Sequence, residues 1–256
     1  MGASRPSGHL SIWRATMSYS KYSDPEVFAA ALLQDWGATS GESAELLADE
    51  SLSLEEFLCR FAEQVGMRSQ DLFLIAGMGK LDDVLFFNEE AGRELPRLVR
   101  RVLRLSTSNR RHLCEFVQHL PRLPRPVSFR KPRPYERYPP GFGSLLVRML
   151  ALRNLGWSSA AQVMYLMSGV RLSPSAIGAV GRGTRKIDVE LLHGFAAVLG
   201  APVAVLKSFT GAQQVAESDW CLKKNADIAA LLWDVRNLTA KQIQEVCQLA
   251  EELVQG

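Results

Sequence analysis

The stretch PRLPRPVSFRKPRPYERYPPG, residues 121–141, constrains the fold of this 256-residue chain more than any other feature. It holds seven of the twelve prolines and carries six basic residues against one acidic residue. Proline fixes φ and lacks the N–H that a helix interior uses, so this density favours an extended segment. We therefore expect a Pro/Arg-rich linker that joins two parts of the chain.

Both parts carry the apolar spacing of helices, and neither shows the alternation typical of strands. Ser53 and Glu56 form a capping-box pattern before one helix, and a longer pair of helices is predicted within 95–105 and 106–120. The sequence therefore predicts an all-α protein. Its apolar content, 47% of the residues, allows one large core or two small ones, and the break near the middle of the chain favours two. The domains expected are a disordered basic tail (1–22), an acidic helical module with a helical hairpin (23–120), the linker (121–141) and a second helical module with a hairpin (142–256).

An internal repeat relates the two predicted hairpins. Residues 98–120 align without gaps to residues 231–253, and Ser106 and Thr239 match as helix N-caps. Two degenerate copies of one helical module explain this similarity better than the chance resemblance of amphipathic helices. The identical pairs are Leu98/Leu231, Val102/Val235, Leu105/Leu238, Cys114/Cys247 and Leu120/Leu253.

Charge is segregated along the chain although the net charge is only +3. Residues 22–90 carry 15 acidic against 3 basic residues, and residues 91–137 carry 13 basic against 3 acidic residues. A polyanion responds to the local field, so it would avoid the first segment and favour the second. The acidic N-terminal module suits dimerisation or a protein partner. The arginines of 97–104 suit a solvated face, or one paired with that module, better than a direct DNA contact.

Several classes of protein are disfavoured. No uninterrupted apolar stretch reaches membrane-spanning length and no signal peptide is recognisable, so we expect a cytoplasmic protein without a membrane partner. The four cysteines are scattered, and the spacing of His112, Cys114 and His119 fits no usual metal site. Because no catalytic constellation is recognisable either, we expect neither an enzyme nor a bound cofactor or metal.

The stretch LSPSAIGAVGRGTRKIDVELLHGFAAVLGAPVAVL, residues 172–206, resembles the core of the lambda-repressor-like (XRE, Cro/C1) helix-turn-helix family. The resemblance covers about residues 143–210, and the first module shares it only weakly. Two degenerate modules with hairpins also resemble regulators common in high-GC bacteria. Ser173 is expected to cap the recognition helix with Pro174 at its first position, and Gly183 to end it in the left-handed region.

This arrangement predicts a DNA-binding surface around the recognition helix. Ile177 and Val180 should face inward, while the major groove would be met by Ser173, Ser175, Ala176 and Ala179. The family resemblance implies phosphate contacts from Ser158, Ser159, Thr184, Arg185 and Lys186. Arg182 either reads a base or interacts with the C-terminal end of its own helix.

The expected function is a dimeric, DNA-binding transcription regulator that acts on double-stranded DNA. The linker would add affinity through Arg130, Lys131 and Arg133, although a merely solvated linker fits its composition equally well. The recognition helix offers serine, alanine and glycine where base-reading amides or guanidinium groups are usual. The alternative is therefore a protein-interaction adaptor whose helix-turn-helix no longer reads DNA.

Overall fold

The computed structural model describes residues 52–75, 87–124, 138–139, 141–208 and 220–255. Within these residues the chain forms eleven α-helices and a 3₁₀ turn, and no strand, so the all-α prediction is confirmed. The predicted tail (1–22) and the basic residues of the linker other than Arg122 lie outside the described residues. The helices are α1 (Leu54–Val65), α2 (Ser69–Ile75), α3 (Glu89–Val102), α4 (Thr107–His119), α5 (Phe142–Leu152), α6 (Trp157–Ser168), α7 (Pro174–Gly181), α8 (Val189–Leu199), α9 (Val203–Ser208), α10 (Trp220–Asp234) and α11 (Ala240–Gln255), with the 3₁₀ turn at Val235–Asn237.

The predicted capping box begins α1. The backbone N–H of Glu56 donates to the Ser53 hydroxyl over 3.3 Å, and the backbone N–H of Ser53 donates to the Glu56 carboxylate over 2.9 Å. Gly66 ends the helix with φ +66°, a value that glycine adopts without strain. Both ends of α1 therefore form as the local sequence predicts.

Helix α3 begins earlier than the apolar pattern indicated. The sequence predicted its start at Leu95, but Asn88 caps the helix by accepting the N–H of Ala91 over 2.9 Å. Pro96 is consequently inside α3 rather than near its start. The helix continues through Pro96 because its buried face, from Ala91 to Val102, packs against the core and stabilises the whole helix.

One hydrophobic core runs through the described residues. Its buried side chains extend from Leu58 in α1 to Ala250 in α11 and form a single cluster. The expectation of two separate cores is therefore not met, because apolar faces on both sides of the Pro-rich stretch pack together. The boundaries of the proposed domains remain a sequence prediction.

The two hairpins of the sequence repeat pack against each other. Helix α3 lies on α11, and α4 lies on α10. The Asn109 amide donates to the Leu253 carbonyl over 2.9 Å, and the Gln242 amide, at the equivalent position of the other copy, donates to the Pro121 carbonyl over 2.8 Å. The predicted N-caps Ser106 and Thr239 begin α4 and α11. The two donors are thus at aligned positions of the repeat, and the two acceptors are one position apart in the alignment.

A buried ion pair connects α2 to the end of α5. The Arg153 guanidinium donates to both carboxylate oxygens of Asp71, over 3.0 and 2.6 Å, and also to the carbonyls of Met149 and Leu199. Arg153 is 0% exposed and Asp71 is 1% exposed. The pair therefore joins chain segments from both sides of the Pro-rich stretch inside the core.

Candidate nucleic-acid interface

Helices α6 and α7 form a helix-turn-helix pair over residues 157–181. Gly169 ends α6 with φ +80°, and Ser173 begins α7 by accepting the N–H of Ala176 over 3.2 Å. Pro174 occupies the first position of α7, where a missing N–H costs nothing. The cap and the first residue of α7 are as predicted.

The inner face of α7 is fixed by close packing. Ile177 and Val180 are fully buried, as expected. A Cβ on Gly178 would lie 2.5 Å from the Trp157 ring, so glycine is required for α6 to approach α7 this closely. The helix is therefore held at a fixed depth against α6.

The exposed surface around α7 contains most of the predicted contact residues. Those that are exposed are Ser158, Ser173, Ser175, Thr184, Arg185 and Lys186, and those that are partly exposed are Ala179 and Arg182. These side chains lie on α7, on the loop after it and at the start of α6. The structure thus leaves small and basic side chains on these three segments accessible to a partner.

Two predicted contact residues are buried instead. Ser159 is 8% exposed and its hydroxyl donates to the Gly156 carbonyl, while Ala176 is 9% exposed. Ala176 is four residues before the inward-facing Val180, so the two share a helix face. The outward placement expected for Ser159 and Ala176 is therefore wrong.

The loop after α7 is anchored by backbone hydrogen bonds. The N–H groups of Thr184 and Arg185 both donate to the Ala179 carbonyl, over 3.0 and 3.2 Å. Gly183 has φ +70°, as expected for the residue that ends the helix. This geometry holds Arg185 and Lys186 next to the end of α7 while leaving their side chains exposed.

The Arg182 side chain lies over an aromatic ring. Its guanidinium carbon is 5.7 Å from the centroid of the Trp157 ring, within the range of a cation–π contact. Its backbone N–H donates to the carbonyls of Gly178 and Val180 at the end of α7. Arg182 is therefore held by Trp157 at the edge of the exposed surface.

Tyr138, at the end of the Pro-rich stretch, packs on α7. Its hydroxyl accepts a hydrogen bond from the Trp157 indole N–H over 2.7 Å. A Cβ on Gly181 would lie 2.6 Å from the Tyr138 ring. The end of the Pro-rich stretch at Tyr138 thus lies beside α7. Arg130, Lys131 and Arg133, the linker residues predicted to contact DNA, lie outside the described residues.

Three further exposed side chains lie beside this surface and were not predicted from the sequence. Gln162 and Tyr165 follow Ser158 at helical spacing on α6, and Arg171 lies in the turn before α7. The Arg171 guanidinium is 5.2 Å from the Tyr165 ring centroid. The spacing of four and then three residues from Ser158 was the signal that could have identified this face.

The described part of the chain contains no cluster of three histidine, cysteine or acidic side chains able to hold a metal ion. Within the same residues, no helix is both long enough and apolar enough to cross a membrane. Comparison with known proteins finds no matching family model, curated relative or solved structure.

Proposed function

We propose that this chain binds double-stranded DNA through α7 and regulates transcription. The supporting observation is the position of α7 relative to the cations around it. Ser175 and Ala179 face outward, and Arg182, Arg185 and Lys186 lie at the C-terminal end of the helix. A helix of this kind fits the major groove while nearby cations meet the phosphate backbone.

Phosphate contacts would supply most of the affinity. Arg185 and Lys186 are exposed on an anchored loop, and Arg171 precedes α7. Helix α6 begins after Gly156 without a side-chain cap, so its N-terminus also favours an anion. Together with Arg182, these groups are sufficient for about five phosphate contacts, a number at which affinity depends steeply on salt.

Base reading would be weak and dominated by small groups. The Ser173 and Ser175 hydroxyls lie 2.9 Å apart at the start of α7, and each can donate to or accept from a base. Ala179 can contact a thymine methyl group. Since α7 itself carries no side chain able to make a bidentate base contact, selectivity would depend on Arg182 at its end, on DNA shape and on the spacing of half-sites bound by a homodimer.

An NMR titration of the isotope-labelled full chain with a short duplex at low salt tests the location of binding. We expect the amide signals of Ser175, Ala179 and Lys186 to shift. Thr107, which is exposed at the start of α4, serves as the internal control and should not shift. Shifts concentrated on α4, or no shifts at all, would contradict DNA binding through α7.

The small, partly apolar face of α7 favours a second function, protein interaction by an adaptor. No glutamine, asparagine or arginine occurs within α7. The acidic residues before residue 91 would offer a further surface for a protein partner. This alternative predicts an absorbance ratio at 260 and 280 nm that is typical of protein before any high-salt wash, together with a stable protein complex on pull-down.

A further inference from the structure

Four exposed arginines lie along one side of α3 and the turn that follows it. Their positions recur at intervals of four, three and four residues, the spacing that places side chains on one face of a helix. The last of them, Arg104, lies just past the end of α3, where its N–H donates to the Arg101 carbonyl over 2.9 Å and continues the turn. At helical rise the row extends over about 16 Å. We call Arg93, Arg97, Arg100 and Arg104 the arginine stripe.

The stripe lies on a helix that the core holds in place. The opposite face of α3 is buried from Ala91 to Val102, and the helix packs against α6 and α11. Arg101 does not belong to the stripe, because its side chain is largely buried and its Nε donates to the Glu251 carboxylate of α11 over 2.6 Å. The stripe is therefore the outward face of a helix whose other face is fixed.

The C-terminal half of the stripe has no ionic partner in the part of the chain that the structure describes. Arg93 and Arg97 each lie near a glutamate of α3 itself, at 2.7 and 3.9 Å. Within the described residues, Arg100 and Arg104 form no ion pair and no side-chain hydrogen bond. Their two guanidinium groups can therefore bind a carboxylate without breaking an existing pair.

The sequence just before α1 has the complementary charge. Residues 22–51, which lie outside the described residues, contain seven acidic residues and no basic residue. Glu42, Glu45 and Asp49 recur at intervals of three and four residues, as the arginines of the stripe do. The twelve residues from Glu42 to Leu54 can extend over about 40 Å, which is the approximate diameter of a compact body of this size. A tether of this length allows the segment to reach α3.

We propose that residues 22–51 dock on the arginine stripe of their own chain through Glu42, Glu45 and Asp49. All four positions of the stripe are arginine, whose planar guanidinium group donates paired N–H groups to a carboxylate, whereas the ammonium group of lysine acts as a point charge. Docking brings carboxylates to the two unpaired guanidinium groups, which are four residues apart and repel each other.

The acidic segment has two advantages over a separate partner. Because it belongs to the same chain, its effective concentration at the stripe is on the order of millimolar. Once docked, its carboxylates also repel polyanions from the stripe. The proposal concerns the free chain and does not depend on DNA binding by α7.

NMR spectra of the isotope-labelled full chain, without any ligand, test the proposal. We expect the amide signals of Glu42, Glu45 and Asp49 to shift in the double variant. This variant carries Arg100→Gln with Arg104→Gln, and it should retain the Tm of the unaltered chain because both side chains are exposed. In the unaltered chain the same signals should move in the same direction at about 0.5 M sodium chloride, since salt screens exposed charges.

The double variant Arg185→Gln with Lys186→Gln is the matched control, because it removes the same two charges from the loop after α7. We expect it to leave the segment signals unchanged. Unchanged segment signals in the Arg100/Arg104 variant overturn the proposal. A shift in the Arg185/Lys186 variant alone also overturns it and places the segment on the surface around α7.

Reversal of charge separates a direct contact from a general effect of the field. The substitutions exchange the sign of two residues on each side: Glu45→Arg, Asp49→Arg, Arg100→Glu and Arg104→Glu. The salt sensitivity of the Glu42 signal should be lost when only the stripe is reversed, and it should return when both sides are reversed. Failure to return, or segment signals that change with protein concentration, contradicts docking within one chain.

Discussion

The Asp71→Ala substitution is expected to lower the free energy of unfolding by about 3–5 kcal/mol. Asp71 accepts two hydrogen bonds from Arg153, and both side chains are buried. Removal of the carboxylate leaves a guanidinium charge in the core without its counter-ion, while the carbonyls of Met149 and Leu199 satisfy only part of it. The effect is measured by denaturant unfolding of the full chain.

Two further variants separate the charge effect from general damage. Glu89→Ala removes the partner of Arg93 in an exposed pair, and this control should change the free energy of unfolding by less than about 1 kcal/mol. The double variant Asp71→Leu with Arg153→Met replaces both charges by apolar groups and should recover most of the loss. A loss below about 1 kcal/mol for Asp71→Ala would show that the buried pair does not stabilise the core.

The double variant Arg185→Ala with Lys186→Ala is expected to weaken duplex binding and to reduce its salt dependence. Removal of two phosphate contacts from about five changes the slope of log K against log salt from about −4.5 to about −2.7. Between about 50 and about 200 mM salt, the unaltered chain should lose roughly 500-fold in affinity and the variant roughly 40-fold. Fluorescence anisotropy with a labelled duplex measures both curves.

A matched pair of surface arginines controls for the change in net charge. Arg104 and Arg111 are exposed near the turn between α3 and α4, and the variant Arg104→Ala with Arg111→Ala removes the same two charges. We expect this control to keep the slope of the unaltered chain. Equal slopes for the Arg185/Lys186 variant and the unaltered chain would remove the loop after α7 from the DNA interface.

The features that the sequence predicts correctly depend on local chemistry. A serine or threonine followed three residues later by an amide or carboxylate side chain marks the start of α1 and of α11. Gly183 and the Ser173–Pro174 pair mark the ends of α7. Each signal involves residues within one helical turn, so the local structure that it predicts does not depend on contacts with the rest of the chain.

The features that the sequence cannot predict depend on contacts between distant segments. Asp71 and Arg153 are 82 positions apart, and each alone resembles a solvated surface charge. Tyr138 belongs to the predicted linker, but its ring packs on Gly181 and its hydroxyl accepts a hydrogen bond from the Trp157 indole N–H. Single-sequence patterns contain no information on which distant side chains meet in a core.

The outward placement of Ser159 and Ala176 was wrong because it ignored which face of each helix these residues occupy. Ser159 lies four residues before Val163, and both are buried. Family resemblance assigned contacts to the start of α6 without regard to which of its residues faces the core. An assignment by helical spacing would have retained Ser158 and added Gln162 and Tyr165 instead.

The salt dependence of binding by the unaltered chain tests the central claim most directly. If α7 and the cations around it bind duplex DNA, binding will be tight at low salt and log K will fall against log salt with a slope of roughly −4 to −5. Absence of binding at low salt, or binding that is insensitive to salt, would contradict the DNA-binding function.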